Sequence, residues 1–176
     1  IKTLKKFGFG EYFIKWINII YIDCSSRVKV NGFTTHSFPI ERGVRQGCPL
    51  SSLLYALCLE SLCLEIKNNQ KTIGVKFQDN EHKDLEFADD MSIAITDMES
   101  IEDIFVTLNR FEKATNAKIN VEKTEALWVG NWKNNLEKPK NLKWHNDMVK
   151  TTGVYVGNKR KDVERIGFEE VKEKIK

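Results

Sequence analysis

Apolar positions along this chain follow two periods, and the switches between them mark out the elements. Phe9, Phe13, Trp16, Ile17, Ile20 and Tyr21 are spaced as on one stripe of a helix, which predicts an amphipathic helix with its aromatic face turned inward. Residues 27–32 alternate and end in Asn31-Gly32, a strong hairpin signal, so a basic hairpin is expected with 33–40 as the return strand. From 53 to 67 the chain is nearly all apolar until Glu60, led by Leu53, Leu54, Leu57, Leu62 and Ile66; this predicts a core helix buried on most of its circumference. Residues 74–77 read as a strand and 78–81 as a turn. Leu85 and Phe87 then alternate with Glu86, and Met91, Ile93 and Ile95 with Ser92 and Ala94, giving two short strands with Asp89 and Asp90 in the turn between them.

Ser100, with Asp103 three residues on, predicts the start of a second helix striped by Ile101, Ile104, Phe105, Leu108 and Phe111, and Asn116 suits its left-handed end. Further strands are expected at 126–129, 142–144, 148–149 and 154–157, and a last helix with Phe168, Val171 and Ile175 on one face. The order predicts an α+β fold in which an antiparallel sheet carries helices on one face.

The 176 residues suffice for one sizeable core, and 41% hydrophobic with 30% charged residues is the balance of a globular chain. No run of about 18 apolar residues is evident, so no membrane partner is expected. Cys24, Cys48, Cys58 and Cys63 form no Cys-x-x-Cys pair and stand at no zinc-ligand spacing, and they read as core thiols of an intracellular protein. Charge is uneven: residues 1–130 hold sixteen Lys/Arg against eighteen Asp/Glu, whereas residues 131–176 hold twelve against seven. A basic end after a near-neutral body suits a phosphate-bearing partner, although a solvated lysine surface gives the same count.

Two stretches carry candidate chemistry. Adjacent carboxylates at Asp89-Asp90 suit hard divalent cations such as Mg²⁺, which take carboxylate oxygens and keep positions open for phosphate; the same pair also suits a plain turn. Gly43 and Gly47, four apart and just before Pro49 and a helix, allow close backbone approach by a nucleotide, and they also serve as ordinary structural punctuation.

Taken in series, 42–51 (Arg-Gly-Val-Arg-Gln-Gly-Cys-Pro-Leu-Ser), Phe87-Ala88-Asp89-Asp90, Lys118-Ile119-Asn120 with Lys123-Thr124-Glu125, and Gly153-Val154 resemble the reverse transcriptase of non-LTR (LINE-type) retrotransposons. The resemblance implies a polymerase palm over residues 1–130, and the end of the palm with the start of the thumb over 131–176. It implies that Asp89 and Asp90 hold Mg²⁺, that Gln46, Gly47, Gly43, Arg45 and Phe87 meet the incoming nucleotide and template, that Lys123 donates a proton to pyrophosphate, and that Gly153-Val154 grips the primer. The implied partners are an RNA template, a DNA primer, deoxynucleoside triphosphates and an upstream part of the same polyprotein, in the nucleus or cytoplasm.

The chain departs from the family pattern at Ser52, Asn116 and Thr152, where Pro, Gly and Leu are usual. The family's first catalytic Asp is expected upstream of Ile1, so the chain reads as a fragment that does not polymerise alone. Two other readings stay open: a non-catalytic nucleic-acid-binding or maturase-like remnant of the same fold, and an α+β scaffold whose Asp89-Asp90 only makes a turn.

Overall fold

Short strands and longer helices alternate along the chain, in two compact units, Ile1–Cys63 and Leu64–Lys176. The computed structural model describes residues 1–175 apart from Glu41, Arg42, Val44, Gln46, Ala88 and Asp89. The expectations placed on Gln46 and Asp89 therefore lie outside the described residues.

In the first unit, α1 (Lys2–Lys6) and α2 (Glu11–Tyr21) precede the strands β1 (Ser25–Ser26), β2 (Lys29–Val30), β3 (Phe33–Thr34) and β4 (Phe38–Pro39), and α3 (Pro49–Asn68) runs on into the second unit. Asn31 and Gly32, both at positive φ, turn β2 into β3, as their sequence demands. The core is aliphatic: Leu4, Ile14 and Ile17 are buried, with Phe9, Tyr21, Leu50, Leu54 and Leu57 packed against them. The aromatic face expected to turn inward does not, since Trp16 is 63% exposed. At about 100° per residue, the arc centred on Ile14, Ile17 and Tyr21 lies some 130° from Trp16. Phe13 sits between the two and stacks on Phe9 at 5.0 Å.

α3 corrects two expectations. It is buried at Ser51, Leu62, Cys63 and Ile66, yet Leu53 is 63% exposed and Tyr55 and Leu64 are also open, so most of its circumference is not covered. With a mean hydropathy of 1.4 over its most apolar window, it is also long and apolar enough to cross a membrane by length and composition alone, where no such run had been expected. Core helices meet the same two criteria. Of the four cysteines, all free, only Cys63 is fully buried.

The second unit opens with the hairpin β5 (Val75–Phe77) and β6 (Asn80–His82), in which Phe77 faces Asn80 and Gln78 takes a positive φ. Residues 80–81, expected in a turn, are strand. β7 (Asp84–Phe87) and β8 (Asp90–Ile93) follow as the expected pair of antiparallel strands, with Asp84 opposite Ile93 and Phe87 opposite Asp90. Asp90 is thus the first strand residue, not a turn residue.

α4 (Met98–Thr115) starts one turn earlier than Ser100: Asp97 is the cap, its carboxylate accepting from the Ser100 N–H at 2.8 Å and from the Ser100 hydroxyl at 2.7 Å. At the other end Asn116 adopts φ 60°, ψ 12°, and its N–H closes on the Glu112 carbonyl. Asn116→Gly is therefore expected to raise stability slightly and Asn116→Ala to lower it by about 1 kcal/mol, read from thermal melts of the two variants.

β9 (Glu125–Leu127) pairs in parallel with β10 (Lys143–His145), β11 (Met148–Thr151) forms a hairpin with β12 (Val154–Gly157), and α5 (Arg160–Ile175) closes the chain. Phe168, expected on the packed face of the last helix, is exposed. At Gly157 a Cβ would meet the Asp147 carbonyl at 2.6 Å and Val163 of α5 at 3.0 Å, so only glycine allows that helix to lie against β12. The class is α+β, but in place of one antiparallel sheet the described strands, two to four residues long, form six two-stranded ladders, one of them parallel.

Candidate functional site

The hairpin β7–β8 carries the candidate acids, and its base is tied down by charged groups that the sequence does not single out. Lys83, immediately before β7, is 6% exposed and donates through Nζ to the Lys67 carbonyl at 3.2 Å and the Asn69 carbonyl at 2.8 Å. These carbonyls close the C-terminal end of α3, where the helix leaves acceptors unpaired and its dipole is negative, so an ammonium is the fitting cap. Glu81 lies 3.4 Å from the same ammonium through one oxygen and accepts the Gly74 N–H at 2.7 Å through the other. That backbone bond, with help from Lys83, holds the Glu81 carboxyl below its ordinary range. A Cβ on Gly74 would strike the His82 carbonyl at 2.5 Å and Lys83 Cγ at 2.6 Å, so glycine is required for the two segments to pass. Main-chain bonds from Ala94 to Lys83 at 2.8 Å and from Thr96 to Ile73 at 3.0 Å complete the base.

Lys67 reaches in the opposite direction, 3.4 Å from Asp84 and 3.5 Å from Glu86 on β7. The Asp84 side chain is 1% exposed, neither oxygen meets hydrogen-bond geometry with a partner among the described residues, and Lys67 pairs with it as an ion. Burial, then the neighbouring Glu86 carboxyl, pushes the Asp84 acid above its ordinary range, while Lys67 pulls it back. Lys67 and Lys83 therefore cross between the end of α3 and the strand that leads to the acids.

Ser92 of β8, two residues past Asp90, hydrogen-bonds Thr151 of β11 at 2.7 Å. Thr151 precedes the turn Thr152-Gly153, both residues at positive φ, after which Val154 opens β12 with its side chain exposed. One hydroxyl pair thus joins the acid-bearing hairpin to the hairpin that carries Gly153-Val154, two features that the sequence separates by some sixty residues. In a double-mutant cycle on thermal stability, Ser92→Ala and Thr151→Val are each expected to cost about 1 kcal/mol, with a coupling near the single-mutant value.

The remaining sequence-predicted residues divide between the units. Asp90 is exposed at the head of β8, and its carboxylate is the kind of oxygen donor that a hard divalent cation takes; its neighbour Asp89 lies outside the described residues. Phe87 ends β7 in register with Asp90. Lys123 is exposed on a turn whose main chain is fixed by Asn120, through the Lys123 N–H at 3.1 Å and the Thr124 N–H at 2.9 Å. In the first unit Gly43 and Gly47 both take φ above +80°, the conformation for which glycine is needed, while Arg45 donates to the Ile20 carbonyl at 3.1 Å and to Cys24 Sγ at 3.0 Å. Arg45 and Cys24 line an open cleft of about 610 Å³ with Asp23 and Ile40.

The sequence profile described as "Reverse transcriptase (RNA-dependent DNA polymerase)" matches residues 1–168. The chain belongs to the reverse transcriptase family. It is also 29% identical over 158 residues to the "Transposon TX1 uncharacterized 149 kDa protein" of Xenopus laevis. That match takes in 89% of this chain but only 12% of the relative, so the chain spans a small part of that relative's length. Both findings agree with the LINE-type resemblance drawn from the motifs at 42–51, 87–90, 118–125 and 153–154.

Proposed function

We propose that this reverse transcriptase chain is the palm, with the start of the thumb, of an RNA-directed DNA polymerase of the non-LTR retrotransposon type, which extends a primer 3′-hydroxyl along an RNA template. The observation that carries the reading is the family match over 1–168 with Asp90, the second acid of the 87–90 motif, opening β8. In this reading residues 1–130 belong to the palm and 131–176 finish it and begin the thumb.

Asp89 and Asp90 hold Mg²⁺, which when bound lends charge stabilisation to the attacking and leaving oxygens of an in-line displacement. Gln46 and Gly47 face the incoming nucleotide and its template base, Gly43 shapes their loop, and Phe87 is assigned to the same nucleotide and template contacts. Arg45 meets the nucleotide only by giving up its bonds to Ile20 and Cys24. Gly153-Val154 bears on the primer, and the Ser92–Thr151 bond keeps that turn in step with the acids. Lys123, exposed on its turn, hands a proton to the departing pyrophosphate. The deoxynucleoside triphosphate, the template and the primer are the partners, together with an upstream segment that supplies the remaining carboxylate.

Primer extension on an RNA template with Mg²⁺ tests the reading, comparing this chain with the chain joined to the segment that precedes it in the longer protein. The joined chain is expected to extend the primer and this chain alone to be silent. Extension by this chain alone puts the chemistry on the wrong residues. A joined chain that binds RNA but never extends is a non-catalytic remnant.

A further inference from the structure

Between the parallel partners β9 and β10 the chain makes a loop, residues 128–142, built around tryptophan rings. Trp128, buried, stacks on Trp144 with centroids 4.0 Å apart and planes 19° apart, and on Trp132 at 5.8 Å and 22°. The indole N–H of Trp128 is taken by the Glu137 carbonyl at 3.1 Å and that of Trp144 by the Pro139 carbonyl at 3.0 Å, so these two rings fold the loop over themselves. Asn158 holds the base, donating to the Trp128 carbonyl at 2.7 Å and accepting from the Gly130 N–H at 3.2 Å.

Trp132 is different. It is 40% exposed, and its indole N–H has no partner among the described residues. It is the outermost ring of the column, packed on Trp128 and partly open to solvent. It offers a fixed π-face.

The charges around it are one-sided. Residues 131–145 carry Lys133, Lys138, Lys140 and Lys143 against Glu137 alone. Lys140 and Lys143 are engaged with Glu102 and Glu125, whereas the exposed Lys133 and Lys138 have no ion-pair partner among the described residues. Lys133 follows Trp132 directly, and Lys138 follows the residue whose carbonyl pins Trp128. Exposed Val129 and Leu136 would suit an apolar protein partner, but the free cations beside an open aromatic face suit phosphate and base together.

We propose that Trp132 is a base-stacking site for single-stranded nucleic acid, with Lys133 and Lys138 meeting the flanking phosphates. The site takes an unpaired base, since a base within a duplex presents no free face to a ring. It lies on the loop between β9 and β10, apart from the hairpin that bears the acids, and it deepens the polymerase reading by giving template or primer a hold before or after the paired region.

The test uses the full chain and a fluorescein-labelled 12-nucleotide RNA, with a second copy of the RNA carrying 2-aminopurine at its centre. Trp132→Ala is expected to weaken binding about tenfold and to remove the 2-aminopurine quenching that accompanies it, and Trp132→Phe to restore most of both. Trp16→Ala, at an exposed tryptophan of the other unit, changes neither. Lys133→Gln with Lys138→Gln is expected to lower the slope of log affinity against log salt by about 1.4, at roughly 0.7 per phosphate contact on a single strand. Equal binding and equal quenching by wild type and Trp132→Ala, with Trp132→Ala melting as wild type does, overturns the site while leaving the polymerase reading intact. Equal affinity of single strand and duplex overturns it too, and absence of any binding at low salt overturns both.

Discussion

Asp89→Asn, placed in the chain joined to its upstream segment, is expected to cut Mg²⁺-dependent primer extension by about three orders of magnitude, the rate equivalent of several kcal/mol of charge stabilisation. The substitution keeps the side chain's shape and removes its charge, and charge is what the site is asked to supply: ions brought beside a triphosphate need carboxylates to hold them where attacking and leaving oxygens develop charge. Asp90→Asn, which keeps the backbone pairing of Asp90 with Phe87, is expected to cost less, as fits the lesser share of the metal given to Asp90. The measurement is single-turnover extension at saturating Mg²⁺ with template binding followed in parallel. Undiminished extension by Asp89→Asn would move the chemistry elsewhere; a loss matched by an equal loss of template binding would show that the acid acts on RNA affinity rather than on the reaction.

Which parts of this arrangement could be read from residue order follows from how local their causes are. Asn31-Gly32 and Asn116 are set by the backbone angles that their own residue types tolerate, and both stand where the sequence put them. That β7 and β8 are strands was legible from a period of two on either side of the acids, whereas their register, with Asp90 inside β8, was not. The start of α4 was misread because Asp97 and Ser100 are both good caps three residues apart; the carboxylate accepts from the Ser100 N–H, so the earlier residue wins. The buried face of α2 was misread because its large apolar residues cover too wide an arc, and ring size alone does not say that Ile14 and Ile17 take the centre.

The groups that tie the β7–β8 hairpin to its surroundings were invisible. Lys83 looks in sequence like one more polar residue before a strand, and nothing local distinguishes it from Lys76, which is exposed. Its burial depends on carbonyls fourteen and sixteen residues earlier, at the end of α3. Asp84 and the Ser92–Thr151 pair are of the same kind: their roles arise from tertiary approach, for which a single sequence carries no period.

Lys83→Met is expected to destabilise the second unit by about 3 kcal/mol, from two lost ammonium–carbonyl bonds and a lost helix-end charge set against the gain of burying a thioether. For a chain of this size that is a fall of about 6–12 °C in melting temperature. The loss exceeds that of an ordinary surface lysine because both acceptors stay behind at the end of α3, and because Glu81 loses its partner while still fixed to the Gly74 N–H. Lys83→Arg should not rescue it, since Gly74 passes so close to Lys83 Cγ that a bulkier head has no clear path to the same carbonyls. Gly74→Ala should fail in the same direction and by a similar amount, as its new methyl would push the two segments apart. Lys76→Met, on the exposed strand β5, is the comparison and should melt within about 1 °C of wild type. If Lys83→Met also melts within that range, the crossed lysines do not hold the hairpin, and the placing of its acids must come from β7–β8 pairing alone.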